Sequence, residues 1–180
     1  MAKFLEELND TIRSFIGEQK IFFTASAPAE GRINLSPKGI DTFRCLDSKT
    51  VAYLDLTGSG NETAAHIAEN GRMTIMFCSF SDKPLILRLY GTGRIIGRNH
   101  ENWETLHQHF PKFVGERQIV VLSIESLQTS CGFGVPVYDL VEERVKLIDW
   151  AEKKGDAGIN LYWKEKNQHS IDGLPTGLLD

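Results

Sequence analysis

Cysteine is scarce in this 180-residue chain, and its three residues, Cys45, Cys78 and Cys131, are odd in number, far apart and without C-x-x-C pairing. That excludes a disulfide framework and a thiolate zinc or redox motif, and predicts reduced thiols buried as small hydrophobes. An excess of positive charge is lacking too. Twenty Lys and Arg against 24 Asp and Glu give a formal charge of -4, so no global field gathers nucleic acid or anionic lipid. An anionic ligand must be held by a local site. Long apolar runs are missing: the best are broken by Arg88, Arg94 or Glu125, well short of the roughly 18 to 20 residues of a membrane span. The N-terminus carries Glu6, Glu7 and Asp10 where a secretory signal needs a basic start and an apolar run. A soluble cytoplasmic protein is the expectation. Neither the phosphate loop G-x-x-x-x-G-K-[ST] nor the nucleophile elbow G-x-S-x-G occurs, which removes the common triphosphate and hydrolase motifs.

What is present is an ordinary globular composition, 41% hydrophobic and 24% charged, with no internal repeat and no Pro/Ser-rich linker. One domain over residues 1–180 is expected, with a C-terminal helical extension from about residue 137. Phe4, Leu5, Leu8, Ile12, Phe15 and Ile16 recur at helical spacing before Gly17. The period then shortens to seven β-type segments, at 21–25, 33–36, 42–45, 50–56, 72–80, 85–96 and 118–126, separated by turn signals such as Asn70-Gly71. Helical patterns interrupt them at 61–69 and 101–109. Another runs from Tyr138 to about Lys154, a short one spans 158–166, and an irregular tail follows from His169 to Asp180. Close-spaced strands of this kind predict a mainly β, antiparallel, Greek-key-like barrel or sandwich with peripheral helices.

Two stretches carry site chemistry. Thr57-Gly58-Ser59-Gly60-Asn61-Glu62-Thr63 follows an apolar strand and opens a helix, with Ser59 and Glu62 at capping-box spacing. Its glycines allow close backbone approach, and the free N–H groups of a first helical turn suit a phosphate. In Asn34-Leu-Ser36-Pro37-Lys38-Gly39, alternation puts Ser36 and Lys38 on one face, a hydroxyl beside an ammonium at a strand that Pro37 marks as edge or bulge. The long strand after Leu85 places Arg88, Tyr90 and Arg94 on its polar face, making Arg88 a candidate for ligand or dimer contact, and its glycines read as bends at a barrel corner. His107 and His109 point to opposite sides of one helix, so these histidines are expected at the surface or a boundary rather than on a metal.

The order of these features, from the N-terminal helix through Arg32-Ile-Asn-Leu-Ser-Pro-Lys-Gly, Thr57-Gly-Ser-Gly-Asn-Glu-Thr, Ala68-Glu-Asn-Gly-Arg-Met-Thr-Ile-Met-Phe and the long strand, resembles the pyridoxamine 5'-phosphate oxidase-like family of FMN-binding split β-barrels. The likeness covers roughly residues 4–130, and with the Cys131 to Pro136 loop and Ser170-Ile-Asp-Gly-Leu-Pro it looks like an uncharacterised subgroup. It implies a homodimer that binds FMN at the subunit interface with the phosphate near the strand-to-helix turn. On that basis Ser36, Lys38, Thr57, Gly58, Ser59, Asn61, Glu62, Thr63 and Arg88 are the cofactor-binding candidates. The implied activity is flavin-dependent oxidoreduction of an unidentified small molecule. A haem-binding or haem-handling protein, or a deazaflavin-dependent reductase, is the alternative on the same scaffold. Asn61-Glu62-Thr63 stands where the founding oxidase has Ser-Arg-Lys, and the tail lacks that enzyme's Arg-x-x-Pro-like ending. Pyridoxamine phosphate oxidation itself is therefore not implied.

Overall fold

The computed structural model describes residues 2–179; Met1 and Asp180, the ends of the expected domain and tail, lie outside them. Its centre is one antiparallel sheet. The first strand, β1 (Lys3–Leu5), precedes helix α1 (Asp10–Glu18). Four strands follow, β2 (Phe22–Ser26), β3 (Asn34–Lys38), β4 (Phe43–Cys45) and β5 (Thr50–Leu56), then α2 (Glu62–Asn70). The strands β6 (Arg72–Cys78) and β7 (Ile86–Gly97), the short α3 (Trp103–His107), β8 (Glu116–Ser130) and α4 (Lys146–Lys166) complete the order. The strands line up as β3-β2-β6-β7-β8-β5-β4, with β1 added along β8. The result is a curled half-barrel whose edges are the short strands β3 and β4.

The middle strands read as nearly unbroken apolar runs because both of their faces are covered. In β5 and β8, Val51, Tyr53, Val120 and Leu122 enter the barrel core, where Leu8, Ile12 and Ile16 of the N-terminal segment also pack. Their neighbours Ala52, Leu54, Ile119 and Val121 face the other way, against Trp103 and Phe110. The sheet bends where β7 slips register between Tyr90 and Gly91. There a Cβ on Gly91 would sit 2.0 Å from the Ser123 carbonyl oxygen, so only glycine allows the two backbones to approach.

Several expectations need correction. Helix α1 begins at Asp10, capped by the Asn9 side chain accepting from the Ile12 N–H at 2.9 Å, and Phe4 lies in β1 instead. The helical pattern from Tyr138 is not a helix before Lys146: residues 131–145 carry no regular structure, and Leu140, Val141 and Val145 are exposed. An apolar period yields a stable helix only where a surface receives its stripe, and here none does. The helix that does form starts at Lys146, and the non-helical Gly155 (φ 61°, ψ 175°) breaks α4 into two helical pieces, so the end near Lys154 and the separate short helix at 158–166 stand as expected. Cys78 is buried, but Cys45 is half-buried and Cys131 exposed. His107 is buried against Trp103, with its Nε2 2.9 Å from a Glu116 carboxylate oxygen.

Candidate functional site

At one edge of the sheet the inward side chains of β3, the end of β5, the loop 57–61 and the first turn of α2 enclose a cleft of about 680 Å³. Arg117 of β8, Lys166 at the end of α4 and the tail around Ser170 close its remaining sides. The wall holds Arg32, Lys38, Arg117 and Lys166 against Asp55 and Glu62, and with Arg32 paired to Asp172 one positive charge remains in excess. The cleft suits an anion.

Asp55 ties the wall together. Its Oδ1 accepts from Lys38 Nζ at 2.7 Å, and its Oδ2 accepts from Arg117 Nη2 at 2.7 Å, Arg117 Nε at 3.1 Å and Gln118 Nε2 at 2.9 Å. Burial alone would push this carboxyl up, but Arg117 and Lys38 outweigh it and hold Asp55 well below the ordinary carboxylate range. Arg117 also donates through Nη1 to the Gly60 carbonyl at 2.9 Å and to Asn167 Oδ1 at 3.0 Å, and Asn167 Nδ2 donates to the Gly58 carbonyl at 3.2 Å. The glycine-rich loop is thereby fixed by its carbonyls. Thr57 is buried beneath it, its Oγ1 donating to the Gly115 carbonyl and accepting from Trp163 Nε1, both at 2.7 Å.

The structure brings Ser36, Lys38, Gly58, Ser59, Asn61, Glu62 and Thr63 into this one cleft. Thr57 supports the loop from below. Arg88 is absent from the cleft wall; it pairs across the sheet with Met76 and Gln128 and donates to Ser130 Oγ at 3.1 Å. Alternation fixes which residues of a strand share a face, but not what that face meets.

The capping-box reading of Ser59 and Glu62 is also corrected. The residue before α2 is Asn61, without a side-chain cap, and the Glu62 carboxylate accepts from the Ile171 N–H at 3.0 and 3.1 Å. Glu62 therefore holds the tail rather than Ser59. Asn61 is 2% exposed; its Oδ1 accepts from Gln118 Nε2 at 2.7 Å, while its Nδ2 has no partner. A buried donor without a partner, in a residue that lines the cleft, is an unmet hydrogen bond beside it. Thr63 Oγ1 accepts from Asn34 Nδ2 at 3.1 Å, and Ser36 Oγ donates to Asn34 Oδ1 at 3.1 Å.

Sequence reasoning missed Asp55, Arg117, Gln118 and the tail. A lone carboxylate inside the apolar run Thr50–Leu56 was the available signal, since buried carboxylates are nearly always paired. Its partner lies 62 residues away, and nothing local announces it.

The chain has counterparts among known proteins. Residues 8–131 match the family model described as pyridoxamine 5'-phosphate oxidase. Over 193 aligned positions the chain is 40% identical to the pyridoxamine 5'-phosphate oxidase family protein ustO of Aspergillus flavus, covering 97% of this chain and 78% of that relative. Among solved structures, HupZ of Group A Streptococcus superposes with a TM-score of 0.53 at 22% identity, over 67% of this chain and 91% of that one. A Lactobacillus delbrueckii protein, provisionally described as a pyridoxamine 5'-phosphate oxidase, gives 0.55 at 17% identity over 68% and 94%. These two likenesses show the fold, a split β-barrel. The sequence matches show more: this chain belongs to the pyridoxamine 5'-phosphate oxidase family.

Proposed function

We propose that this protein binds FMN, with the phosphate in the cleft between Lys38 and the start of α2, and works as a homodimeric flavin-dependent oxidoreductase on a small molecule. The cation-rich cleft at the start of α2, with the buried and unpartnered Asn61 Nδ2 beside it, carries this reading. Lys38 would supply charge, Ser36 a hydroxyl, and the first N–H groups of α2 the dipole end that favours an anion. Gly58 and Gly60 keep side chains off the loop where the ligand would lie. Glu62 would stand beside the phosphate, but its carboxylate is engaged by the Ile171 N–H and so is drawn toward the tail.

When bound, the isoalloxazine would carry the electrons. The chain's own part is to bind and orient. Lys38 is held in place by Asp55, and the loop by Arg117 and Asn167, so the cleft is preformed and binding orders little. Asn61-Glu62-Thr63 favours a substrate other than pyridoxamine 5'-phosphate.

Calorimetry with FMN and riboflavin tests the phosphate directly. FMN is expected to bind about tenfold or more tightly, the difference a charge-assisted hydrogen bond makes. Equal affinities, or no binding of either, would overturn the reading. The absorption spectrum of the purified protein separates flavin from deazaflavin and haem.

A further inference from the structure

A second cleft, of about 370 Å³, opens at the end of the barrel core and shares no wall residue with the first. Its floor is aromatic. Phe22 and Phe43 meet edge to face with ring centres 5.0 Å apart, and Phe43 meets Phe77 in the same way at 5.0 Å. Ile16 and the half-buried Cys45 complete the apolar lining. Around the mouth, Arg13, Lys20 and Arg44 face Asp41 and Glu143, leaving one positive charge in excess.

The pairings show where that charge sits. Arg44 is bound to Asp41 at 2.5 and 3.0 Å, which holds the Asp41 carboxyl below its ordinary range. Lys20 and Glu143 stand 3.6 Å apart, both largely exposed, an arrangement that contributes little and opens readily. Among the described residues, Arg13 is half-buried and makes neither an ion pair nor a side-chain hydrogen bond. The wall also holds Ile40 at φ +62°, a left-handed conformation that a β-branched residue rarely adopts. Thr42 fixes it, through its N–H on the Ile40 carbonyl at 2.9 Å and its hydroxyl on the Gly39 carbonyl at 3.0 Å. Strain kept by its surroundings at the lip of a cavity is characteristic of ligand clamps.

We propose that this second cleft is a binding site for a small aromatic monocarboxylate, with the ring against the half-buried Phe43, which Phe22 and Phe77 back from the core, and the carboxylate on Arg13. The volume lies in the range of small-molecule pockets, and the cleft combines an aromatic floor with a charged mouth in which Arg13 is, among the described residues, the unpaired cation. A guanidinium recognises a carboxylate by two parallel hydrogen bonds, so a neutral isostere is rejected. The wall of the first cleft plays no part, and the site stands or falls independently of the flavin reading.

The probes are 4-phenylbutyrate and its neutral counterpart 4-phenylbutan-1-ol, titrated calorimetrically into the full chain in excess FMN. The acid is expected to bind at one site about tenfold more tightly than the alcohol, and Arg13→Gln to bring the two affinities together. Isoleucine methyl resonances locate the site: Ile16 and Ile40 should shift with the acid, while Ile33 and Ile171, which line the first cleft, should not. Equal binding of acid and alcohol, a preference that survives Arg13→Gln, absence of binding, or shifts confined to Ile33 and Ile171 would each overturn the proposal.

Discussion

Asp55 is the residue whose loss the candidate cleft should feel most, because among the described residues it is the only carboxylate that meets both Lys38 and the buried Arg117. Asp55→Asn leaves the Arg117 guanidinium in a dry site without its counter-charge, and is expected to cost roughly 3 kcal/mol or more, read from the denaturant midpoint at neutral pH. The pH dependence has a definite sign. The folded carboxyl lies below its unfolded value, so its contribution is complete above the ordinary carboxylate range and is lost as pH falls through that range toward the folded value. The gap between wild type and Asp55→Asn should therefore narrow below about pH 4. A gap unchanged from pH 6 to about pH 2.5 would show that the charge of Asp55 contributes nothing. Ser36, Lys38 and the run 57–63 were legible in the sequence because glycine, proline and a strand-to-helix switch mark them locally. Asp55, Arg117 and Asn167 were not, because the bonds of Arg117 to Asp55 and to Asn167 join residues 62 and 50 positions apart.

Elements were legible in proportion to how far their own residues decide them. Thr50–Leu56 was bounded correctly because two turn signals enclose a continuous β-branched and apolar run that is covered on both faces. The stretch from Tyr138 to Val145 has a helical period but no surface to receive it, and Phe4 joins β8 through backbone pairing that periodicity does not report. The bend in β7 lies between these cases. Glycines announced it, yet the reason Gly91 must be glycine is the Ser123 carbonyl on the neighbouring strand. Gly91→Ala would force a methyl into backbone on a central strand, and should destabilise by about 3 kcal/mol or more. Gly97→Ala, on the same strand with no atom within 4 Å of its added Cβ, should stay within about 0.5 kcal/mol of wild type. Comparable losses in both would mean that the cost is that of any substitution for a strand glycine, not of the close approach at the bulge.

At the scale of the whole molecule, the segment 131–145 crosses the surface without secondary structure. It is held by the Tyr138 N–H on the Phe80 carbonyl at 2.9 Å and by stacking of those two rings at 5.7 Å. Its apolar side chains point away from the protomer: Phe133 is 82% and Val141 92% exposed, with Val137, Leu140 and Val145 also open. A series of exposed apolar residues on one surface segment is unusual on a monomer, and the homodimer proposed above would supply a cover. Light scattering should then give about twice the 20.2 kDa chain mass at micromolar concentration. Val141→Asp tests the segment itself. The residue makes almost no contact within the protomer, so the folded protomer should lose less than about 0.5 kcal/mol, while a carboxylate buried between two copies should shift the population toward monomer. If FMN is shared across the interface, that monomer should also bind it more weakly. A Val141→Asp protein that stays dimeric would place the interface on another surface, and a clear monomer with undiminished FMN affinity would show that each protomer completes its own site.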